Sequence, residues 1–347
     1  MSLPMHSSAG SGASRRPGSA YWNHAFTLAE LRAATGGWAQ ANVVGSGSFG
    51  TVYRATLDDW SVVAVRHKNL VRLLGSCVDD GERLLVLEFF PEGSLGARLH
   101  YASQGKVAFL SWAERMAVIE GVCRGLTYMH HDIHPPLIHR DIKAANILLR
   151  GGTKGACIAD FGLARLMQDD ESGGDTSSAV KGTLPYMAPE YMQGGYRCLS
   201  PKCDVYSFGV VVLELVTGRP VTARFERGGR DIPLVELAAS LVREQKALEM
   251  IDPAVWDAFD VSEAECCIQI ALQCLQRDPS HRPTMEQVGI RLRTRGAEPR
   301  GSEVGSESPH DVLSGLTRGD PGRSMAGWDT GSSSGFSSGA YRFLTAR

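Results

Sequence analysis

The sequence predicts an α+β fold in two lobes, a small β-rich lobe followed by a larger helical one. Three observations carry this reading. Stretches rich in β-branched and aromatic residues fill 50–88, the apolar period becomes helical after Gly93, and both chain ends are too poor in apolar residues to join a core. With 347 residues, 43% of them hydrophobic, the chain holds enough material for two lobes. The folded part is expected over 26–293, with the small lobe at 43–92 and the large lobe at 93–293. A Ser, Gly and Ala-rich segment at 1–25 and a Gly and Ser-rich tail at 294–347 ("TGSSSGFSSGAY") are expected to be disordered.

The elements follow in order. "GTVYRATL" at 50–57 reads as a strand, the turn-like "DD" follows, and "SVVAV" at 61–65 reads as another. "RLLGSCV" and "RLLVLEF" flank "DDGE" and predict an antiparallel hairpin. From Ser111, residues Trp112, Met116, Ile119, Cys123 and Leu126 recur at helical spacing, and Ser111 with Glu114 forms a capping box. Ser200 and Pro201 open a helix, "DVYSFGVVVLELVT", that is apolar nearly all round and stops at Gly218; such a helix belongs inside a core. Ser262 and Glu265 predict the cap of a further helix running to Gln276.

Composition narrows the function classes. A net charge of −2 gives no reason to expect nucleic acid or an acidic membrane surface as partner. The longest apolar run, "FGVVVLELV" at 208–216, falls short of the roughly 18 to 20 residues of a transmembrane segment. The start "MSLPMHSSAG" lacks a signal-peptide core, and Ser2 stands where myristoylation needs glycine, so a cytoplasmic chain is expected, peripheral at most to the plasma membrane. The eight cysteines form no C-x-x-C pair and read as reduced, mostly buried thiols. "HHDIH" at 130–134 places two histidines at i,i+4, but Pro135 and Pro136 end the helix and no further ligand completes a zinc site, which favours a solvated helix end.

The chemistry sits at the joins. "GSGSFGTV" at 45–52 is G-x-G-x-x-G-x-V between two strands, without the helix that a dinucleotide-binding turn requires. Here Gly45, Gly47 and Gly50 let a hairpin backbone close over phosphates. "HRDIKAAN" at 139–146, "DFG" at 160–162 and "APE" at 188–190 then follow in order. A charged loop between helices accounts for any one of these, but not for all three in series.

With these motifs the chain resembles a eukaryotic protein kinase, specifically the plant receptor-like kinases and their cytoplasmic relatives. "FTLAELRAATGGWAQANVV", "HKNLVRLLGSC", "LEFFPEGSL", "GTLPYMAPEY", "DVYSFGVVVLELVTGRP" and "DPSHRPTM" extend the resemblance over 26–292. It implies transfer of the γ-phosphate of ATP, with Mg²⁺, to Ser or Thr hydroxyls of a protein substrate, and a membrane receptor kinase as a further partner. On this basis Asp141 orients the substrate hydroxyl, Asn146 and Asp160 hold Mg²⁺, and Lys143 reaches the γ-phosphate and pairs with Thr183. "KAA" after Ile142, where tyrosine kinases usually carry "AAR", favours Ser/Thr specificity. Val52 and Ala64 from above and Leu148 from below are expected to enclose adenine, with Leu87 as gatekeeper and Glu88, Phe89 and Phe90 as hinge. The resemblance also pairs Glu190 with Arg282, ties the catalytic loop to Asp204, and sets Arg140 toward a phosphorylated loop containing Thr176, Ser177 and Ser178.

One stretch departs from that pattern. In "SVVAVRHKNLVRLLG" at 61–75, Val65 runs directly into Arg66, His67 and Lys68. The family carries there a strand-borne lysine for the α and β phosphates and a helix whose glutamate pairs with it. The strand ending at Val65 and that beginning near Arg72 would run parallel, and a parallel crossover needs a dozen residues or more. Three readings stay open: a Ser/Thr kinase by lineage, a pseudokinase acting as a binding scaffold, and the product of a transcript lacking an exon. Arg66 does not replace the lysine freely, because a planar fork is not a compact ammonium. Pro185, where relatives commonly carry Gly, is a smaller departure.

Overall fold

The computed structural model describes residues 24–47, 50–56, 67–167, 180–295 and 341–346. Strands β1 (His24–Ala25), β2 (Val43–Gly47), β3 (Gly50–Ala55), β4 (Leu73–Asp79), β5 (Glu82–Glu88) and β12 (Tyr341–Ala346) form one sheet in the order β1-β4-β5-β12-β3-β2. The β2–β3 hairpin brings Gly47 opposite Gly50. The predicted β4–β5 hairpin is present, and its turn residues Asp80 and Gly81 both take positive φ, 48° and 75°, as a tight mirror-type turn requires.

One face of this sheet is well covered. Helix α1 (Leu28–Ala34), opened by a Thr27/Glu30 capping box, lays Leu31 against Leu74, Cys77, Leu84 and Val86. Among the described residues the other face has no such helix. Leu85 and Leu87, which alternate with the fully buried Leu84 and Val86, are only half-buried, and Val78 is 80% exposed. Among the described residues no helix lies between β3 and β4.

The large lobe contains α2 (Leu95–Ser103), α3 (Trp112–Thr127), β6 (Leu137–Ile138), β7 (Ile147–Leu149), β8 (Ala156–Ile158) and β9 (Arg165–Leu166). It continues with α4 (Pro189–Gly194), α5 (Pro201–Thr217), β10 (Arg224–Arg227), β11 (Arg230–Pro233), α6 (Leu234–Arg243), α7 (Val261–Cys274) and α8 (Met285–Thr294). As its sequence predicts, α5 is buried nearly all round and ends where Gly218 turns left-handed at φ 64°. It packs closely on α7 because position 209 has no side chain: a Cβ there would lie 2.8 Å from Cys274 Cβ. Ser111 and Glu114 cap α3 as expected.

Three expectations need correction. The α7 cap is Asp260, which accepts the Glu263 N–H at 2.8 Å, and not Ser262; the same cap-x-x-Glu spacing occurs twice in "DVSEAE", and the better acceptor prevails. His130 is not at a solvated helix end but buried at 6% exposure. The tail assigned to disorder ends in strand β12, whose aromatic and β-branched residues follow a Gly and Ser run that dominates the average over 294–347. The strand expected at 61–65 lies outside the described residues; the place between β3 and β5 is held by β12.

The chain re-entering after that stretch belongs to the large lobe. Val71 N–H donates to Ile158 O and Ile158 N–H to Asn69 O, each at 2.9 Å. Buried Asn69 donates from Nδ2 to Ala156 O at 2.8 Å, and His67 stacks on Tyr128 at 4.8 Å.

Candidate active site

The loop after β6 is shaped by one buried carboxylate. Asp204, in the first turn of α5, accepts the His139 N–H at 2.8 Å and the Arg140 N–H at 2.9 Å, and lies 3.0 Å from His130 Nε2. Burial pushes the Asp204 carboxyl up, but the hydrogen bonds from His130 and from the His139 N–H outweigh it and hold it below the usual carboxylate range. These bonds fix the backbone reversal at Arg140, whose φ is 69°. No signal in "HHDIH" distinguished His130 as Asp204's partner, because the two are 74 residues apart.

His139 sets the next turn. Its Nε2 meets Ala159 O at 3.0 Å, and the Asp141 N–H meets its Nδ1 at 3.3 Å. A carbonyl must accept and an amide must donate, so the ring is neutral with its proton on Nε2. Burial, which lowers the His139 pKa, acts in the same direction.

Asp141 thereby projects into a polar cluster. Thr183 donates to its Oδ1 at 2.7 Å, Lys143 to its Oδ2 at 2.6 Å, and Asn146 Nδ2 to its Oδ2 at 3.1 Å and its carbonyl at 2.9 Å. Lys143 also donates to the Thr183 hydroxyl at 2.9 Å. The four residues named from the sequence therefore meet at one point, with a cation and a hydroxyl flanking a carboxylate. Such a site can receive a proton while holding a negatively charged group near the amine.

Asp160 follows β8, with φ 65° and its Oδ1 accepting the Gly162 N–H at 3.3 Å. Ala159 N–H donates to Asn146 O at 2.8 Å, which sets Asp160 beside the end of the catalytic loop. With Asn146 Nδ2 committed to Asp141, the donors left for a cation are the Asn146 amide oxygen and the Asp160 carboxylate. A hard, oxygen-only pair of this kind fits Mg²⁺ that takes its remaining ligands from phosphates and water. Phe161 sets its ring against His139 at 5.2 Å, so the segment is anchored from both sides.

The residues expected to receive the nucleotide are placed in part. Gly45, Gly47 and Gly50 lie in the β2–β3 hairpin; Ser48, Phe49 and Ala64 are outside the described residues. Val52 sits in β3, while Leu87 and Leu148 pack on the cluster of Val71, Phe90, Cys157 and Ala159 between the lobes. Glu88 and Phe89 follow at the exit of β5. The Glu88 carboxylate meets Arg150 at 3.2 Å, and the Arg150 guanidinium lies 5.0 Å from the Phe90 ring centre.

The segment facing the site is held from below. Glu190 and Arg282 form a bidentate pair at 2.7 Å for both contacts. Arg140 Nε donates to Leu163 O, and Thr176, Ser177 and Ser178 lie outside the described residues. Pro185 occupies the second position of a short 3₁₀ turn, Leu184–Tyr186, where its missing N–H is not needed. Sequence reading missed that the Tyr186 hydroxyl donates to buried Glu214 at 2.9 Å, a contact whose only signal is an acidic residue within the apolar run 208–216.

Comparison with known proteins shows the family. A family profile described as "Protein kinase domain" covers residues 61–290. Cysteine-rich receptor-like protein kinase 6 of Oryza sativa subsp. japonica is 38% identical over 290 residues, 76% of this chain and 41% of the relative. Cysteine-rich receptor-like protein kinase 34 of Arabidopsis thaliana is 39% identical over 292 residues, 77% of this chain and 43% of the relative. The proline-rich receptor-like protein kinase PERK13 of Arabidopsis thaliana is 37% identical over 358 residues, 93% of this chain and 49% of the relative. The chain spans less than half the length of each of these relatives. Among the described residues no helix is long and apolar enough to cross a membrane.

Proposed function

Because the chain belongs to the protein kinase family, with plant receptor-like kinases as its relatives, we propose that its site transfers the γ-phosphate of ATP to Ser or Thr hydroxyls of a protein. The reading rests on the cluster of Asp141, Lys143 and Thr183. Asp141 orients the attacking hydroxyl and takes its proton as the new O–P bond forms and the bond to the ADP oxygen breaks. Lys143 draws the transferring group toward that hydroxyl, and Thr183 keeps amine and carboxylate in register. Asp160 and Asn146 would hold Mg²⁺, which supplies neutralisation of phosphate charge. Val52, Leu87, Leu148 and the backbone of Glu88 and Phe89 receive the adenine, and the β2–β3 glycines close over the phosphates.

A second reading is supported by one observation: among the described residues no helix stands between β3 and β4, and the sequence offers no lysine and glutamate in the family positions. On that reading this chain binds nucleotide or partners, a membrane receptor kinase among them at the cytoplasmic face, and transfers phosphate poorly. Insertion of a family-type lysine and helix between Val65 and His67 separates the two. The restored protein is expected to phosphorylate casein on Ser or Thr with Mg²⁺ and to lose this with Asp160→Ala. A restored protein with no transfer refutes the assignment of the site.

A further inference from the structure

Strand β12 comes from a part of the chain that the catalytic reading does not use. It runs parallel to both of its neighbours, pairing Phe343 with Val52 through Ala346 with Ala55 on one side, and Tyr341 with Arg83 through Ala346 with Glu88 on the other. Among the described residues it is the strand that joins two pieces of sheet: the β2–β3 hairpin and the β1-β4-β5 group. Without it, β3 and β5 each present an open edge, and an isolated two-stranded hairpin is marginally stable at best in water.

We propose that the chain's own C-terminal segment Tyr341–Ala346 is the strand that completes the small-lobe sheet, seated in a slot between the glycine hairpin and the hinge strand. Residues 67–72 are tied to β8 through Asn69 and Val71 and to Tyr128, just after α3, through His67, so this stretch belongs to the large lobe and does not enter the slot. The tail's end has the right composition: "YRFLTA" holds two aromatics and a β-branched residue with no Gly or Pro, and "GSSSGFSSGA" before it has little strand preference. Reach is no obstacle, since the residues between Arg295 and Tyr341 can extend to about 150 Å, several times the diameter of a small domain.

The mode is strand addition, in which main-chain bonds supply the affinity and register supplies the specificity. Its position gives it consequence. Phe343 stands in register with Val52 in the roof over the nucleotide, and Ala346 with Glu88 at the hinge. The tail thus links roof to hinge across the sheet.

Amide hydrogen exchange tests this on the full chain, on a chain ending at Ala340, and on that chain with a synthetic peptide of residues 340–347 added. The full chain is expected to protect 50–55 and 82–88. Truncation is expected to speed their exchange by about a hundredfold while 112–127 and 201–217 keep their protection, and the peptide is expected to restore it. Leu344→Pro, which removes one main-chain donor and forces the strand open, reproduces the truncation; Leu344→Val does not. Equal protection with and without the tail overturns the proposal. So does protection that rises with protein concentration, because the strand would then come from a second copy. None of these readouts depends on phosphate transfer, so failure here leaves the catalytic reading untouched.

Discussion

Thr183 donates its hydroxyl to Asp141 Oδ1 at 2.7 Å and so fastens the segment before α4 to the loop after β6, 42 residues away. The same hydroxyl receives Lys143. Thr183→Val keeps the shape of the side chain and removes both bonds. In the form with the lysine and helix restored, transfer is expected to fall by about 10- to 100-fold, with ATP affinity unchanged, because positioning is lost and binding is not. Thr183→Ser is expected to retain most of the rate. A Thr183→Val protein whose only change is a higher KM for ATP would place Thr183 in nucleotide binding instead.

Arg282 is 1% exposed and fully engaged, with Glu190 at both contacts, with the carbonyls of Gln276 at 2.7 Å and Lys202 at 2.9 Å, and with the Tyr206 ring below it. Removing its counter-charge leaves a guanidinium stranded in the large lobe. Glu190→Ala is expected to destabilise that lobe by about 3–5 kcal/mol, as broken buried pairs do. Denaturant unfolding followed by the helical circular dichroism signal, which comes mainly from the large lobe, measures this. A loss under about 1 kcal/mol shows that the backbone carbonyls alone satisfy Arg282.

Glu214 is buried among the apolar residues of α5, accepts from Tyr186 and from the Val221 N–H at 2.8 Å, and its pKa is pushed up to about 7 by burial. The ordinary value of such a carboxyl is 4.5, so between the two values the folded state holds a proton that the unfolded state has released. Stability from this group is therefore complete below the lower value and is lost as pH rises through the upper one, a change of about 3 kcal/mol. Glu214→Gln is expected to flatten that slope between about pH 4.5 and 7. Parallel pH profiles of unfolding free energy for the two proteins would show Glu214 to be ionised throughout.

What the sequence made legible was local. HRDIKAAN, DFG and the largely apolar α5 each carry their pattern within a few residues, and the resemblance they support assigned Asp141, Lys143, Asn146, Asp204 and Thr183. His130 was weighed only as a zinc ligand, and Asn69 and Glu214 were not singled out, because each acts through a partner 28 to 87 residues away that no pattern marks. Helix α1 had a signal that went unused, the Thr27-x-x-Glu30 box, since seven residues with one buried leucine show almost no periodicity. Strand β12 was hidden by averaging six strand-forming residues into a Gly and Ser-rich tail.

The chain as it stands is expected to transfer phosphate far more slowly than the restored form. Its lower half is complete: Asp141, Lys143, Asn146 and Thr183 are joined, and Asp160 is set beside them. Its upper half is not. The inner face of the sheet shows half-buried Leu85 and Leu87 and a Val78 that is 80% exposed, where the family's helix would lie, and with that helix goes the glutamate that holds the phosphate-binding lysine. Loss of about 3 to 5 kcal/mol of transition-state stabilisation corresponds to roughly 10² to 10⁴ in rate. Strand β12 can rebuild the sheet, but a strand cannot present a lysine and a glutamate from two elements at once. Single-turnover transfer, with the intact chain and the restored form compared at saturating ATP and Mg²⁺, is the measurement. Equal rates would mean that another cation and another acid in this chain take over the missing pair, and substitution of Arg66 would be the next place to look.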